Sequence, residues 1–296
     1  MLDILLCVLM NVGIFICFRL FSTFKMDTFQ AIVFNYVTCV ITGAVFMGDG
    51  SALGDITIDE PWVLIALALG GIFIGTFYLM AITTQKFSMT VSSISAKMSL
   101  IIPVLFSIFL LDIQSRPYTW LNYAGMVLAL AAIFMSSYKE KKIEANKLKG
   151  LDLFLPLLVF IFGGLIDSSI NYTNYYFLTE RESAVFPMFI FASAGVIGIF
   201  LLISNRRKLS LISFGGGAVL GVVNYFSIYF LITSLSAFSN DGAIVYPLIN
   251  VGIIIFAAGL SVAFFKERFS RLNQAGLVLA VLAIIFISYQ EILAIL

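Results

Sequence analysis

Two stretches of eighteen residues, 121–138 and 272–289, nearly repeat one another: LNYAGMVLALAAIFMSSY and LNQAGLVLAVLAIIFISY. At a constant offset of 151 they agree at 11 of 18 positions, including Asn122 with Asn273, Gly125 with Gly276 and the closing Ser-Tyr pair. A second echo lies upstream, where Gly71-x-x-x-Gly75 matches Gly217-x-x-x-Gly221 at a slightly different offset. Shared apolar composition would scatter such matches; it would not align Asn, Gly and Ser-Tyr at one spacing. The chain therefore reads as a tandem duplication, and duplicated apolar halves are a common way to build transporters.

Lipid must be the solvent for most of those halves. Hydrophobic residues make up 61% of the chain and charged ones 11%, with a mean hydropathy of +1.08. A soluble domain carries about 25% charged residues to wet its surface. The 296 residues allow one large membrane domain and leave no room for a separate soluble one. A net charge of +1 gives no ground for a nucleic-acid partner. Cys7, Cys17 and Cys39 lie in apolar stretches without a CxxC pair, which suits small packing residues rather than a metal site or disulfide. Histidine is absent, which removes HExxH metal sites, Ser-His-Asp triads and histidine proton relays. No cofactor is expected. Asp3 precedes the first apolar run while Arg19 and Lys25 follow it, the reverse of a secretory signal peptide.

Crossing the hydrocarbon takes a helix of about 20 apolar residues. Cutting the sequence at charges and turn residues predicts ten spans, at 2–21, 28–47, 62–82, 88–111, 119–137, 153–176, 184–203, 213–235, 241–264 and 272–291. Runs this long and continuous lack the alternation of barrel strands, so the expected fold is an all-α integral membrane protein. Residues 1–138 form a first five-helix repeat, 139–150 a basic linker and 151–296 a second repeat. Five is odd, so the second repeat enters from the opposite side and the two are inverted. Fourteen of the 17 basic residues flank odd-numbered connections, against Arg116 and Arg181 on the other side and Lys97 within a span. The positive-inside rule then makes the linker cytoplasmic and places both termini and the acidic loop 48–61 outside.

Ten spans in two inverted sets of five resemble the drug/metabolite transporter superfamily of EamA type. FFKERFSRLNQAGLVLAVLAIIFIS at 264–288 is similar to that family's glutamate-bearing turn before a final Gly-rich helix. Its counterpart is LLDIQSRPYTWLNYAGMVLALAAIFMSS at 110–137, with Asp112 roughly where the glutamate would stand and a longer turn. The resemblance implies secondary transport of metabolites in a bacterial inner membrane. Characterised relatives are drawn with both termini in the cytoplasm; the charges here place them outside.

Polar groups inside the spans are the candidate site. Lys97 lies nine residues into the fourth span, about 13 Å deep at 1.5 Å per residue. A lysine there costs about 2.5–3.5 kcal/mol on insertion scales, so it faces a cavity or partner unless the helix starts later and the ammonium snorkels out. Ser88, Ser92, Ser95 and Ser99 form a separate stripe suited to close helix packing, which leaves Lys97 with Ser93 facing the cavity. Asp167 heads an i, i+4, i+7 stripe with Asn171 and Asn174 on the sixth span, behind Gly163 and Gly164. The competing reading ends that helix near Ser169 and makes the tyrosines beyond it an interfacial belt. Tyr246 and Asn250 share a face of the ninth span around Pro247, and Pro103 sits in the fourth; either proline is a gating kink or a packing feature. Asn224, Asn35 and Asn11 are further candidates, each equally suited to hydrogen-bonding between helices. Glu267 and Asp112 read as turn anchors.

The expected function is a secondary active transporter, an exporter, that moves a small polar metabolite such as an amino acid by alternating access between the two inverted repeats. Its partners are a small-molecule substrate, the bilayer and a coupling ion such as the proton, with Asp167 as the protonatable group. No GxxxxGK[ST] phosphate loop is present, so this chain offers no ATP site. An exporter of drug-like organic cations is the alternative within the class. An intramembrane enzyme is the alternative outside it, disfavoured by one mid-span aspartate and no histidine.

Overall fold

The computed structural model describes residues 2–47, 57, 59–103, 119–138, 150–178, 180–205, 208–237 and 242–293. Among these, no residue is in a strand. The helices are α1 Leu2–Thr23, α2 Thr28–Met47, α3 Pro61–Lys86, α4 Met89–Met98, α5 Trp120–Ser137, α6 Leu155–Tyr176, α7 Glu180–Ser204, α8 Leu211–Ala237, α9 Gly242–Phe265, α10 Arg271–Ile287 and the short α11 Tyr289–Leu293. Eight of them, α1–α3 and α5–α9, are long and apolar enough to cross a membrane. The 17-residue α10 is apolar but just shorter. The chain is an integral membrane protein by length and composition of its helices.

Most boundaries lie within a few residues of those read from the sequence, because charges and turn residues end the apolar runs. The third helix runs on through Lys86, so the break before α4 falls at Phe87 and Ser88. Ser88 caps α4 by accepting the Val91 N–H at 3.1 Å. The α6 helix does not end near Ser169; it continues to Tyr176. The seventh helix starts earlier than expected, at Glu180. Asp112, Arg116, the linker 139–149 and most of the acidic loop lie outside the described residues, as do the side chains of Asn171 and Asn174.

The repeated segment has a structural explanation. Asn122 and Asn273 occupy the same place in the first turn of α5 and α10, and each does two jobs. Its Oδ1 accepts the backbone N–H at the start of its own helix, from Thr119 at 2.8 Å and from Ser270 at 3.1 Å. Its Nδ2 reaches the C-terminal end of the other helix: Asn122 donates to the Ile287 carbonyl at 2.8 Å, and Asn273 to those of Ser136 and Tyr138, both at 2.8 Å. Each asparagine thus satisfies donors of one helix start and acceptors of another helix end, groups that every helix leaves unpaired. The pairing makes α5 and α10 antiparallel. One turn along, a Cβ on Gly125 would lie 2.8 Å from the Ile287 nitrogen, and one on Gly276 2.6 Å from the Ser136 nitrogen. Only glycine allows the two backbones so close.

The second echo divides unequally. Gly217 and Gly221 of α8 press on the backbone of α2 at Ala31 and Asn35, whereas Gly75 of α3 faces open space. The Asn224 side chain joins the same α2–α8 contact, donating to Asn35 Oδ1 at 3.2 Å, and is buried. Asn224 is therefore interhelical glue, the more modest of its two sequence readings. The largest apolar core joins α1, α2, α3, α8 and α9 around Phe15, Phe18, Phe21, Tyr36 and Phe77; a second joins α4, α5 and α10.

Candidate functional site

The α4 helix is the element that builds the site, because it stops in the middle of an apolar region. Its ten residues end at Met98, Ser99 and Leu100 form a turn, and helical backbone resumes at 101–103. Lys97 lies in the last turn, where unpaired carbonyls and the negative end of the helix dipole favour a cation. Irregular backbone at membrane depth is tolerated where it lines a cavity or is held by protein.

Two helices flank this broken end from different sides. On one side α1 presents Asn11, near the middle of its 22 residues, and Lys97 Nζ donates to Asn11 Oδ1 at 3.3 Å. The lysine therefore does not snorkel to a membrane surface. The orientation of the Asn11 amide is fixed, since its Nδ2 donates to the Cys7 carbonyl at 2.9 Å. On the other side α6 comes close because Gly163 and Gly164 give it no side chains there. A Cβ on Gly163 would lie 3.2 Å from Ser99 and one on Gly164 2.3 Å from Ile102. That approach carries Asp167, one turn further on, to the broken end. Ser99 Oγ lies 3.2 Å from Asp167 Oδ2 and 2.7 Å from the Ala96 carbonyl, sharing one hydrogen between two acceptors.

Lys97 and Asp167 come near one another without forming an ion pair. Among the described residues the ion pairs are Arg19–Glu267 and Lys86–Asp152, both elsewhere. Lys97 and Asp167 are nonetheless close enough for each to feel the other's charge, and Tyr246 on α9 feels that of Asp167. Lys97 is half-buried, Asp167 is exposed and Tyr246 is 39% exposed, yet all three sit deep among protein atoms. All three are thus surrounded by protein while keeping part of their surface accessible.

Further along α1, a cluster of polar contacts joins the two halves. Arg19, eight residues beyond Asn11 on α1, lies 3.7 Å from Glu267, which follows the C-terminal end of α9. Its guanidinium also donates to the Gln85 carbonyl at 3.5 Å and lies 5.8 Å over the Phe265 ring. Gln85 Nε2 donates to Thr28 Oγ1 at 2.9 Å and to the Phe18 carbonyl at 3.2 Å. Nearby in sequence, Lys86 bonds Asp152 at 2.6 Å, so two ion pairs tie residues 1–138 to 151–296. Tyr246 lies at the opposite end of α9 from Glu267. Glu267 also accepts from Ser261 Oγ, so it anchors its turn as expected and reaches α1 as well.

The site differs from the sequence reading at two positions. Ser93 is fully buried and its hydroxyl donates to the Thr90 carbonyl at 2.9 Å, so it does not join Lys97. Ser99, assigned to the packing stripe, bonds Asp167 instead. The reason is that α4 has neighbours on both faces of its broken end, α1 through Asn11 and α6 through Asp167. Asn11, one of the weaker candidates, is the lysine's direct partner. Asn250 is buried on α9 a turn beyond Tyr246. The Pro247 residue leaves α9 a single helix, while the interruption in α4 lies four residues before Pro103.

Comparison with known proteins gives the fold and little beyond it. No family model matches the chain. An uncharacterized protein of Haemophilus influenzae is 27% identical over 298 residues, covering 98% of each chain. A crystal structure superposes with a TM-score of 0.60 at 13% identity, over 96% of this chain and 94% of that one. The helical architecture found here is therefore one that a solved protein shares along nearly the whole chain.

Proposed function

We propose that this chain is a secondary transporter of a small zwitterionic metabolite such as an amino acid, working by alternating access between two inverted five-helix repeats. The observation that carries the reading is that Lys97 and Asp167 lie near one another without forming an ion pair, and we take the space between them as an internal hollow. Two opposite charges held apart inside a membrane protein leave room for a solute with a carboxylate and an ammonium of its own. Charged groups at this depth mark substrate or ion pathways. A drug-like cation would suit Asp167 and Tyr246, but Lys97 in the same hollow would repel it. Asp167 is the group that would carry a coupling proton.

The inverted repeat is supported by how the helices pair. Exchanging each helix with the one five places along turns the α3–α7 contact into α8–α2, α1–α8 into α6–α3, and α1–α9 into α6–α4. The contacts α5–α10, α4–α9 and α2–α7 map onto themselves. On this account α4, with its described helical residues at 101–103, is the fourth of ten spans. The antiparallel asparagine exchange between α5 and α10 is what a two-fold axis in the membrane plane would produce. On the orientation proposed from the loop charges, the ion pairs across the halves lie toward the cytoplasm and Tyr246 toward the other side, which supports reading the conformation as closed at the ion-paired end.

Binding is tested by thermal unfolding of the detergent-purified protein against a panel of amino acids, their methyl esters and their decarboxylated amines. A ligand at 100 times its Kd adds about 2.7 kcal/mol of stability. Zwitterions should raise Tm, while esters and amines should not. Stabilisation by amines alone would select the cation reading, and no stabilisation by any zwitterion would remove the proposal. Orientation is tested separately with a reporter fused after Leu296. It should be active only outside the cytoplasm; cytoplasmic activity would overturn the assignment made from loop charges.

A further inference from the structure

We infer that Asn11 is a positioning residue that holds Lys97 off Asp167 and so keeps the slot between the two charges open. The inference rests on the transport reading of that slot, and it explains why two mobile opposite charges have not collapsed into an ion pair. Lysine has a flexible four-carbon stem and swings readily. In a medium of low dielectric the pull of a nearby carboxylate is strong, since the screening of water is missing. A restraint on the ammonium is needed, and Asn11 supplies it. Its amide cannot turn over without losing the bond from Nδ2 to the Cys7 carbonyl at 2.9 Å, so its oxygen stays presented to Lys97 at 3.3 Å. Cys7 is itself tied to α8, its Sγ donating to the Ser227 carbonyl at 3.4 Å. The carboxylate is restrained from the other side, where Ser99 bonds Asp167 at 3.2 Å. The groups that bond or electrostatically influence the two charges are thus Asn11 and Cys7 from α1, Ser99 from α4 and Tyr246 from α9.

A neutral oxygen is the right strength for this task. It holds the ammonium without cancelling its charge, so an incoming carboxylate can still compete for it. A carboxylate at the same position would neutralise the lysine, and an apolar residue would release it.

The test uses stability alone and needs no substrate. Asp167→Asn is measured by thermal unfolding in three backgrounds: wild type, Asn11→Ala and Asn11→Asp. In the wild type it should change Tm little, because no ion pair is lost. In Asn11→Ala the freed Lys97 pairs with Asp167, and Asp167→Asn should then lower Tm by at least about 5 °C, as breaking a buried pair does. In Asn11→Asp the lysine is held by a charge, and Asp167→Asn should again have little effect. A merely structural asparagine would give the same Asp167→Asn effect in all three backgrounds, and that outcome overturns the inference. If Asn11→Ala fails to fold, Asn11→Leu takes its place with the same expectation. Failure of this test leaves the binding panel above unaffected, so the two readings stand or fall separately.

Discussion

Replacing Lys97 or Asp167 by alanine should abolish solute transport to the level of empty vesicles while the purified protein stays folded. On the proposed reading each substitution removes one of the two charges offered to a zwitterion, so binding would lose an electrostatic contact in a poorly screened site. Stability follows a different rule. Breaking a tight buried ion pair strands the remaining charge and costs about 3–5 kcal/mol. Lys97 and Asp167 are not in contact, with Lys97 bonded to Asn11 and Asp167 to Ser99. Neither single variant should therefore show a loss of that size, and removing a charge from the membrane relieves an insertion cost. Asp167→Asn keeps the shape and removes the titratable group, so any residual transport should no longer depend on a proton gradient. Wild-type transport by both alanine variants would reduce Lys97 and Asp167 to packing residues.

The second large effect is on stability, at the seam between α5 and α10. Gly276→Ala should lower the unfolding temperature sharply, because the added methyl would sit 2.6 Å from the Ser136 nitrogen and 3.1 Å from the Ala132 carbonyl. Those neighbours are backbone atoms of a packed helix and cannot rotate aside. Overpacking of this kind costs about 1–3 kcal/mol and more where nothing yields. Gly75→Ala is the matched control, since nothing lies within 4 Å of its added methyl. There the change should be neutral or stabilising, as alanine is better than glycine in a helix by about 1 kcal/mol. The same chemical change thus has opposite signs at two helical glycines. Equal, small effects at both would mean that the repeated glycine does not bring the helices together.

The repeated segment, most helix boundaries and the presence of charges within the apolar spans are legible in the sequence, for one physical reason. Lipid demands long apolar runs, so a charge, a repeated asparagine spacing or a lysine inside such a run stands out against a quiet background. What the sequence hid depends on neighbours. Nothing at Ser99 or Leu100 announces that α4 stops there, since the nearest proline is Pro103. A helical wheel therefore placed Ser99 on the packing face, when α6 reaches it only because Gly163 and Gly164 let that helix in. The bond from Lys97 to Asn11 joins residues 86 positions apart, and the Arg19–Glu267 pair joins α1 to the turn after α9; spacing along the chain predicts neither. The matched asparagines were visible at once, but their exchange of bonds between two helix ends appears only when the helices are paired.

Counterflow in proteoliposomes tests the central claim most directly, that the hollow holding Lys97 and Asp167 carries a zwitterion across the membrane. Vesicles are preloaded with an unlabelled mixture of amino acids, diluted, and offered each labelled amino acid in turn. The account predicts transient accumulation of at least one of them above the level in empty vesicles, and its loss in Lys97→Ala. Accumulation no greater than in empty vesicles for every amino acid, or accumulation by Lys97→Ala equal to the wild type, would contradict it.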